Sequence, residues 1–318
     1  MRQRIIFVAA TLMSTASFFA LGEEPAAQTG TRHALIVCGL TGDVAHRVLF
    51  GQTTEKIYHA LTTLHGFEQS KVTVLWSEPK APSDGPALSA SRGPATREAL
   101  TETASVLAQA VQSSDSLWVF VLGHAHFDGK NSWLNLPGPD LNQIDFGGLF
   151  APVACKEQVF FMTTAASGFF IKPLAKPQRI VVTATEADRE VNETIFPHKL
   201  AAALAEPPSN ADFDIDGDGQ SSLLDLYLWS ARETAQEYAT EMLLATEHAQ
   251  IDDNGDGRGT EVQSHFLSEE LGGRRTADRK LPLLVNGDGA ISRQLLLRRS
   301  LSSPMQDSNK SGAELPPP

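Results

Sequence analysis

Two histidines and a run of small residues follow apolar segments, and both groups could take part in chemistry. His124 and His126 come directly after the apolar run 117–122, and Ser167 follows a second run at 159–163. Both runs are short and rich in β-formers, so we expect two buried strands. Ligands of open parallel sheets bind beyond the carboxyl ends of the strands. The sequence therefore predicts a site where the histidines meet the small residues.

Three kinds of site are compatible with these residues. Ser167 could be a nucleophile that His124 activates, with His126, Asp128 or Asp140 orienting the imidazole. The spacing His124-x-His126-x-Asp128 also occurs in metallo-hydrolases, and alternate residues of an extended segment face the same way, so the three could share a zinc ion. In the third interpretation, the histidines are hydrogen-bonded loop residues.

An acidic stretch at 214–225 has the pattern of a calcium loop. Calcium takes six to eight oxygen ligands, and a glycine at loop position six permits the sharp turn around the ion. The acidic residue at position twelve is Asp instead of the usual Glu, which resembles the dockerin variant of the EF-hand. The predicted ligands are Asp214, Asp216, Asp218, Gln220, Ser222 and Asp225.

A second acidic stretch begins in the same way, with Asp252, Asn254 and Asp256 at positions one, three and five. Its twelfth position is Gln263, so we expect weaker calcium binding there. Residues 286–289 look like a third, decayed copy, because position one is Leu284. The segment 223–248 contains neither Gly nor Pro, which predicts one long helix with an acidic loop at each end.

Strands and helices alternate along the rest of the chain. Predicted strands at 34–39, 71–76 and 179–184 alternate with helices at 44–64, 95–111 and 196–205, and 79–94 reads as a mobile loop. This order favours a three-layer α/β/α domain at 31–208 with a mainly parallel sheet. A helical EF-hand-like extension at 209–300 and a disordered tail at 301–318 complete the predicted organisation.

The first 22 residues have the form of a secretory signal peptide, in which Arg2 and Arg4 precede an apolar run and small residues. We therefore expect a secreted or periplasmic protein. Without those arginines the formal charge changes from −12 to −14. This acidic balance argues against nucleic acid or an anionic membrane as a partner and suits divalent cations.

Cys38 and Cys155 lie in apolar segments, which favours free buried thiols over a disulfide.

The α/β part resembles the legumain and caspase-like cysteine peptidases over roughly 32–205. The shared features are the apolar strand that ends in Gly39-Leu40-Thr41-Gly42, the helix with Tyr58-His59-Ala60-Leu61, and the strand Val72-Thr73-Val74-Leu75. In that family one strand ends in a His-Gly catalytic histidine, and the next ends in a Glu-Ala-Cys-x-Ser-Gly turn. His124 matches the histidine, although Ala125 follows it. The turn here reads Thr163-Thr164-Ala165-Ala166-Ser167-Gly168.

The resemblance places Ala165 at the nucleophile position, where an alanine cannot attack a carbonyl. It also implies that the Ser-Gly of the turn is structural, and that Arg47, after the first strand, belongs to the pocket for a substrate asparagine. We therefore expect an exported peptidase homologue that lacks cysteine-protease activity, binds calcium, and acts as a peptide- or protein-binding module. The alternative is an active hydrolase that uses Ser167 with His124.

Overall fold

The computed structural model describes residues 30–80, 84–188, 190–206, 208–263 and 287–297. The predicted signal peptide and tail lie outside these residues. Ten strands form within them: β1 Arg32–Cys38, β2 Val72–Trp76, β3 Ser116–Leu122, β4 Ala125–Phe127, β5 Ser132–Leu134, β6 Leu141–Asn142, β7 Glu157–Met162, β8 Arg179–Thr183, β9 Gln250–Asp252 and β10 Thr260–Glu261.

Eight α-helices accompany these strands over the same residues, with short 3₁₀ turns at Gln69–Lys71, Ser167–Phe170 and Ser292–Gln294. The α-helices are α1 Val44–Thr63, α2 Pro86–Ser89, α3 Arg97–Ala110, α4 Gln143–Leu149, α5 Ile171–Leu174, α6 Phe196–Ala205, α7 Asn210–Phe213 and α8 Leu223–Thr240. The predicted helices at 44–64, 95–111 and 196–205 are thus confirmed. The loop predicted at 79–94 contains α2.

A seven-stranded sheet in the order β10-β9-β8-β7-β3-β1-β2 forms the centre of the molecule. The strands β8, β7, β3, β1 and β2 run parallel, which confirms the predicted parallel sheet. The strands β9 and β10 join its edge in antiparallel pairing. A separate small sheet of β4, β5 and β6 follows the end of β3.

Alternate residues of the parallel strands face two different hydrophobic cores. Ile36 and Cys38 pack with residues of α1, α6 and α8 on one face of the sheet. Leu35 and Val37 pack with residues of α3, α4 and α5 on the opposite face. Strands that are buried on both faces are typical of parallel sheets covered by helices. The α/β class and the helix layers on both faces agree with the prediction.

The single helix predicted at 223–248 is wrong at its C-terminal end, over 241–248, because α8 ends at Thr240. Met242 adopts a left-handed φ of 55°, and the Leu243 amide bonds back to the Tyr238 carbonyl, which closes the helix. Glu247 is then drawn into the core, where its carboxylate accepts hydrogen bonds from two backbone amides at the start of α6. The acidic loops are therefore not the two ends of one rod.

The segment predicted as an extension shares the core of the α/β sheet. Helix α8 packs against α6, and β9 pairs with β8, so Val182 lies opposite Ile251. Within the described part of the chain, no helix has both the length and the apolar character needed to cross a membrane.

Candidate functional site

The carboxyl ends of β3 and β7 bring His124 and Ala165 to the same edge of the sheet. These strands are parallel neighbours, and Val121 lies opposite Met162. The Thr163 amide and hydroxyl both donate to the Val121 carbonyl, so the pairing continues to the ends of the strands. Each of the two positions lies three residues beyond this paired position, as the sequence predicts.

The backbone bends at Gly123, and the loop after β1 then fixes His124. Gly123 has a φ of +102°, and a Cβ at this position would lie 3.0 Å from the Gly39 nitrogen, so only glycine fits. The His124 Nε2 atom lies 2.8 Å from the Thr41 carbonyl oxygen. The ring also contacts the edge of Phe50, with the ring centres 5.6 Å apart.

The turn after β7 is tight and almost completely buried. Ala165 is 6% exposed. Ala166 has a left-handed φ of 50°, which costs a non-glycine residue about 1 kcal/mol or more. The Ala166 amide donates to the Glu190 carbonyl at 2.8 Å, and this bond holds the strained residue. The methyl group of Ala165 therefore occupies a fixed position at the sheet edge.

Ser167 serves the turn itself. Its hydroxyl accepts hydrogen bonds from the amides of Ala184 (3.0 Å) and Thr185 (3.1 Å), and the side chain is completely buried. Gly168 next to it is packed so closely that a Cβ would lie 2.3 Å from the Ala187 nitrogen. These contacts do not favour the predicted pairing of Ser167 with His124, because a nucleophile needs the base within hydrogen-bond reach.

His46 and Glu193 stand beside His124, and neither is among the site residues predicted above. The His46 Nε2 atom is 2.6 Å from a Glu193 carboxylate oxygen, and its Nδ1 atom is 2.8 Å from Asp43. The rings of His46 and His124 meet edge to face, with centres 5.3 Å apart. One ligand atom each from His46, His124 and Glu193 lies within 4.8 Å of the others.

Hydrogen bonding with Asp43 first, and then the charge of Glu193, raises the pKa of His46, although its partial desolvation opposes the shift. Glu193 is positioned by its neighbour Thr194, whose hydroxyl donates to the Thr163 carbonyl at 2.6 Å. The signal that could have revealed this cluster is topological, because residues that follow β1, β3 and β8 meet at one edge of a parallel sheet.

His126 and Asp128 point to different partners, so the predicted zinc trio does not assemble. His126 is exposed, and its Nδ1 atom lies 2.7 Å from the Asn135 amide oxygen and 4.0 Å from Asp140. Asp128 instead accepts hydrogen bonds within its own hairpin, including one from the Trp133 indole at 2.7 Å. Asp140 also accepts the Leu136 amide in a loop.

Arg47 lies in the first turn of α1 rather than in the preceding loop. Its guanidinium donates to the Pro79 carbonyl at 2.8 Å and to the Asp84 carboxylate at 3.1 Å.

The two cysteines are free thiols, as predicted: Cys38 is buried and Cys155 is half-buried. Burial raises the pKa of both thiols.

The first acidic loop gathers its three leading carboxylates. Oxygen atoms of Asp214, Asp216 and Asp218 lie within 4.8 Å of one another. The Asp214 carboxylate accepts the amides of Asp218 and Gly219, which curls the loop around it. This all-oxygen donor set fits calcium. Gln220, at position seven, is exposed.

The last two predicted ligands of this loop form the N-terminus of α8. Ser222 and Asp225 make a reciprocal capping box, in which each side chain accepts the backbone amide of the other. The second oxygen of Asp225 accepts the Ile215 amide, at loop position two, at 2.9 Å. Burial raises the pKa of Asp225.

The second acidic loop has the same curled start, but a distant residue occupies the place of its twelfth position. Asp252 accepts the amides of Gly255 and Gly257, both at 2.8 Å. The Asp253 amide, at loop position two, donates to Asp288 at 3.2 Å, just as the Ile215 amide donates to Asp225 in the first loop. Gln263 instead bonds to the Ala249 amide.

Asp288 thus belongs to the second loop. That 286–289 is a third, decayed copy stays a prediction, because part of that stretch lies outside the described residues. Burial first, and then the nearby charges of Asp252 and Asp253, raise the pKa of Asp288 to about 6. The Thr260 hydroxyl donates to its other oxygen at 2.6 Å. Asn254 and Asp256 each accept the amide two residues further on, as in a turn.

Comparison with known proteins gives no assignment, since no protein-family model and no curated protein matches this chain.

Proposed function

We propose that this protein is a legumain/caspase-like peptidase homologue without cysteine-protease activity. It would be exported by its predicted signal peptide, bind a peptide or another protein, and hold calcium in its acidic loops. The observation that carries the proposal is the arrival of His124 and Ala165 at one sheet edge, on neighbouring parallel strands. A methyl group occupies the position that the family resemblance assigns to a thiol.

The buried turn supports the loss of nucleophilic chemistry. The Ser167 hydroxyl is held by two backbone amides, and Ala165 has no group that could attack a carbonyl. Gly168 and Phe169, at the end of this turn, line a cavity of about 760 Å³. The cavity lies between the turn and the second acidic loop and is lined by residues that include Gly168, Phe169, Lys172, Glu186 and Arg258.

This cavity is our candidate for the ligand site. Its volume falls within the range of about 300–1,000 Å³ that is usual for binding pockets. Because Gly257, Arg258 and Gly259 line it, an ion in the second loop would fix one of its walls. Calcium would therefore support peptide binding from outside the pocket.

A cleavage assay tests the missing chemistry. We expect the purified mature protein to leave fluorogenic peptides and esters intact, and we expect Ala165→Cys to be labelled by a thiol-directed peptide probe. Labelling should fall when His124→Ala is added, because the imidazole promotes thiolate formation. Turnover by the natural chain that disappears in both Ser167→Ala and His124→Ala would instead establish the hydrolase alternative.

A binding assay tests the cavity. Fluorescent peptides selected on the protein should bind with an affinity that Arg258→Ala lowers at least about fivefold, a loss of about 1 kcal/mol. Arg92→Ala, on an exposed loop away from the cavity, is the matched control. Equal effects of both substitutions would place the ligand elsewhere.

A further inference from the structure

We propose that His46, His124 and Glu193 form a binding site for a divalent transition metal ion, for which zinc is the probe. The site lies at the carboxyl edge of the sheet and is separate from both acidic loops. It does not depend on the peptide-binding function proposed above.

The donor set is the first argument. Two imidazoles and one carboxylate present ligand atoms within 4.8 Å of one another. Catalytic zinc sites commonly use three protein ligands, among them two histidines with a glutamate. Metal–nitrogen and metal–oxygen distances of about 2.0–2.2 Å place the ligand atoms of a tetrahedral site roughly 3.3 Å apart. The three side chains therefore need only small movements, and the exposed Glu193 can make them.

The surroundings of His46 are the second argument. Zinc-binding histidines usually direct their other ring nitrogen to a carboxylate or a backbone carbonyl, which fixes the ring and makes it a stronger ligand. The Nδ1 atom of His46 lies 2.8 Å from Asp43, and this leaves Nε2 directed at Glu193. Asp43 is therefore already placed as the outer carboxylate partner of His46, and Nε2 of His46 is free to serve as the ligand atom once an ion replaces its contact with Glu193.

The positions of the ligands in the fold are the third argument. Asp43 is the N-cap of α1 and accepts the His46 amide, so helix and ligand share one anchor. His124 is held by the Thr41 carbonyl, in the same loop as Asp43. The backbone next to Glu193 is tied to the end of β7 through the Thr194 hydroxyl. These attachments preorganise the two histidines and the Glu193 backbone, so mainly the exposed Glu193 side chain has to be ordered when an ion binds, which keeps the entropic cost low.

The charge and the open coordination position complete the case. Glu193 and Asp43 bring negative charge to the cluster, while the nearby Arg47 is already paired with Asp84. The cluster offers three protein ligands, so a fourth coordination position would be left for water or for an anionic group of a bound molecule.

Zinc titration with a competing chromophoric indicator tests the site. The mature protein is first stripped of metals and then kept in excess calcium, so that the acidic loops are filled. We expect one zinc equivalent to bind, and cobalt(II) to give the visible absorption bands of a tetrahedral site. His46→Ala and Glu193→Gln should each weaken zinc binding by more than about 100-fold, because loss of a mere outer partner costs about 10–100-fold.

Matched variants give the experiment its controls. His126→Ala removes an exposed imidazole two residues from His124 and should leave the zinc affinity unchanged. Asp43→Asn should weaken binding about 10–100-fold, as expected of an outer partner. Because His124→Ala removes contacts with Phe50, its folding is checked by circular dichroism, and His124→Gln repeats the test.

Two results would overturn the proposal. One is a zinc affinity that survives in both His46→Ala and Glu193→Gln. The other is a zinc equivalent that disappears in Asp216→Asn, which would place the ion in the first acidic loop. Neither result bears on the peptide-cleavage assay, so the two proposals fail independently.

Discussion

The sheet edge and the first acidic loop assemble their polar groups in opposite ways. At the edge, Thr41, His46, His124 and Glu193 come from segments that follow three different strands. In the acidic loop, the clustered carboxylates lie within five residues of the chain. A local motif can be recognised in the sequence, whereas a cluster that the topology assembles becomes visible only when the strand order is known.

The second acidic loop lies between these two cases. Its start is local, but Asp253 and Asp288 tie it to the distant segment 287–297. The Asp253 carboxylate accepts the amides of Gly289, Ile291 and Ser292, and also the Ser292 hydroxyl. The stability of this loop should therefore depend on contacts that the sequence motif does not contain.

Asp253→Ala should give the largest effect, because it leaves four donors, three of them buried, without an acceptor. We expect a loss of about 3 kcal/mol or more in the free energy of unfolding, measured by urea denaturation in calcium-free buffer. Asp256→Ala, in the same loop but exposed, should cost less than about 1 kcal/mol. A similar cost for both would mean that the loop is as self-contained as the first.

Calcium should stabilise the protein through the acidic loops. At a free concentration one hundred times the Kd, one occupied site adds about 2.7 kcal/mol to the free energy of unfolding. Asp214→Ala should remove the share of the first loop, and Asp288→Asn should reduce that of the second. Asp212→Ala, just before the first loop, is the control. Melting curves that coincide in calcium and in chelator would disprove both sites.

Glu247 connects the sheet edge to the second acidic loop, because it lies shortly before β9 and caps α6, whose N-terminus follows Glu193. Burial raises the pKa of Glu247 from 4.5 to about 8. The folded state therefore holds this proton more tightly than the unfolded state. The resulting stabilisation is complete below pH 4.5 and is lost as the pH rises to about 8.

The free energy of unfolding should consequently fall by up to about 1.4 kcal/mol per pH unit across that window because of this group. Glu247→Gln should remove the decline, and the difference between the two proteins isolates the contribution of Glu247 from that of other titrating groups. Glu241→Gln, at the exposed end of α8, should retain the decline of the natural chain. Parallel profiles for Glu247→Gln and the natural chain would show that the carboxyl is ionised in the folded state.

The sequence was sufficient for much of the fold, because buried parallel strands and long amphipathic helices carry strong local signals. It placed His124 and Ala165 at neighbouring strand ends correctly. The prediction failed at the end of α8. Met242 follows the helix in a left-handed conformation, which a glycine would have indicated in the sequence but a methionine does not. The prediction also missed β9, whose three residues become a strand only by pairing with β8.

The candidate site was predictable only in part for the same physical reason. His46 and Glu193 lie 147 positions apart, so no local spacing could join them. Asp288 likewise completes the second loop from a segment 36 positions beyond Asp252. Side-chain hydrogen bonding also decided roles that residue type left open, as for Ser167, whose hydroxyl is taken by backbone amides.

Arg293 should give the smallest effect, and it tests whether the first acidic loop is independent of distant segments. It links that loop to the segment 287–297, which completes the second loop. Its Nε atom lies 2.7 Å from the Asp216 carboxylate and 3.8 Å from Asp218. A guanidinium in this position competes with calcium for an oxygen of Asp216. Arg293→Met, which keeps the apolar stem, should therefore tighten calcium binding by up to about fivefold, equivalent to about 1 kcal/mol.

Without calcium, the same substitution should lower the free energy of unfolding by no more than about 1 kcal/mol, since the side chain is one-third exposed. Calcium titration calorimetry and urea denaturation measure the two effects. Arg92→Met, an exposed arginine outside both acidic loops, is the control for the lost charge. If calcium binding weakened in Arg293→Met alone, the arginine would be positioning the loop, and the first loop would depend on the distant segment as much as the second does.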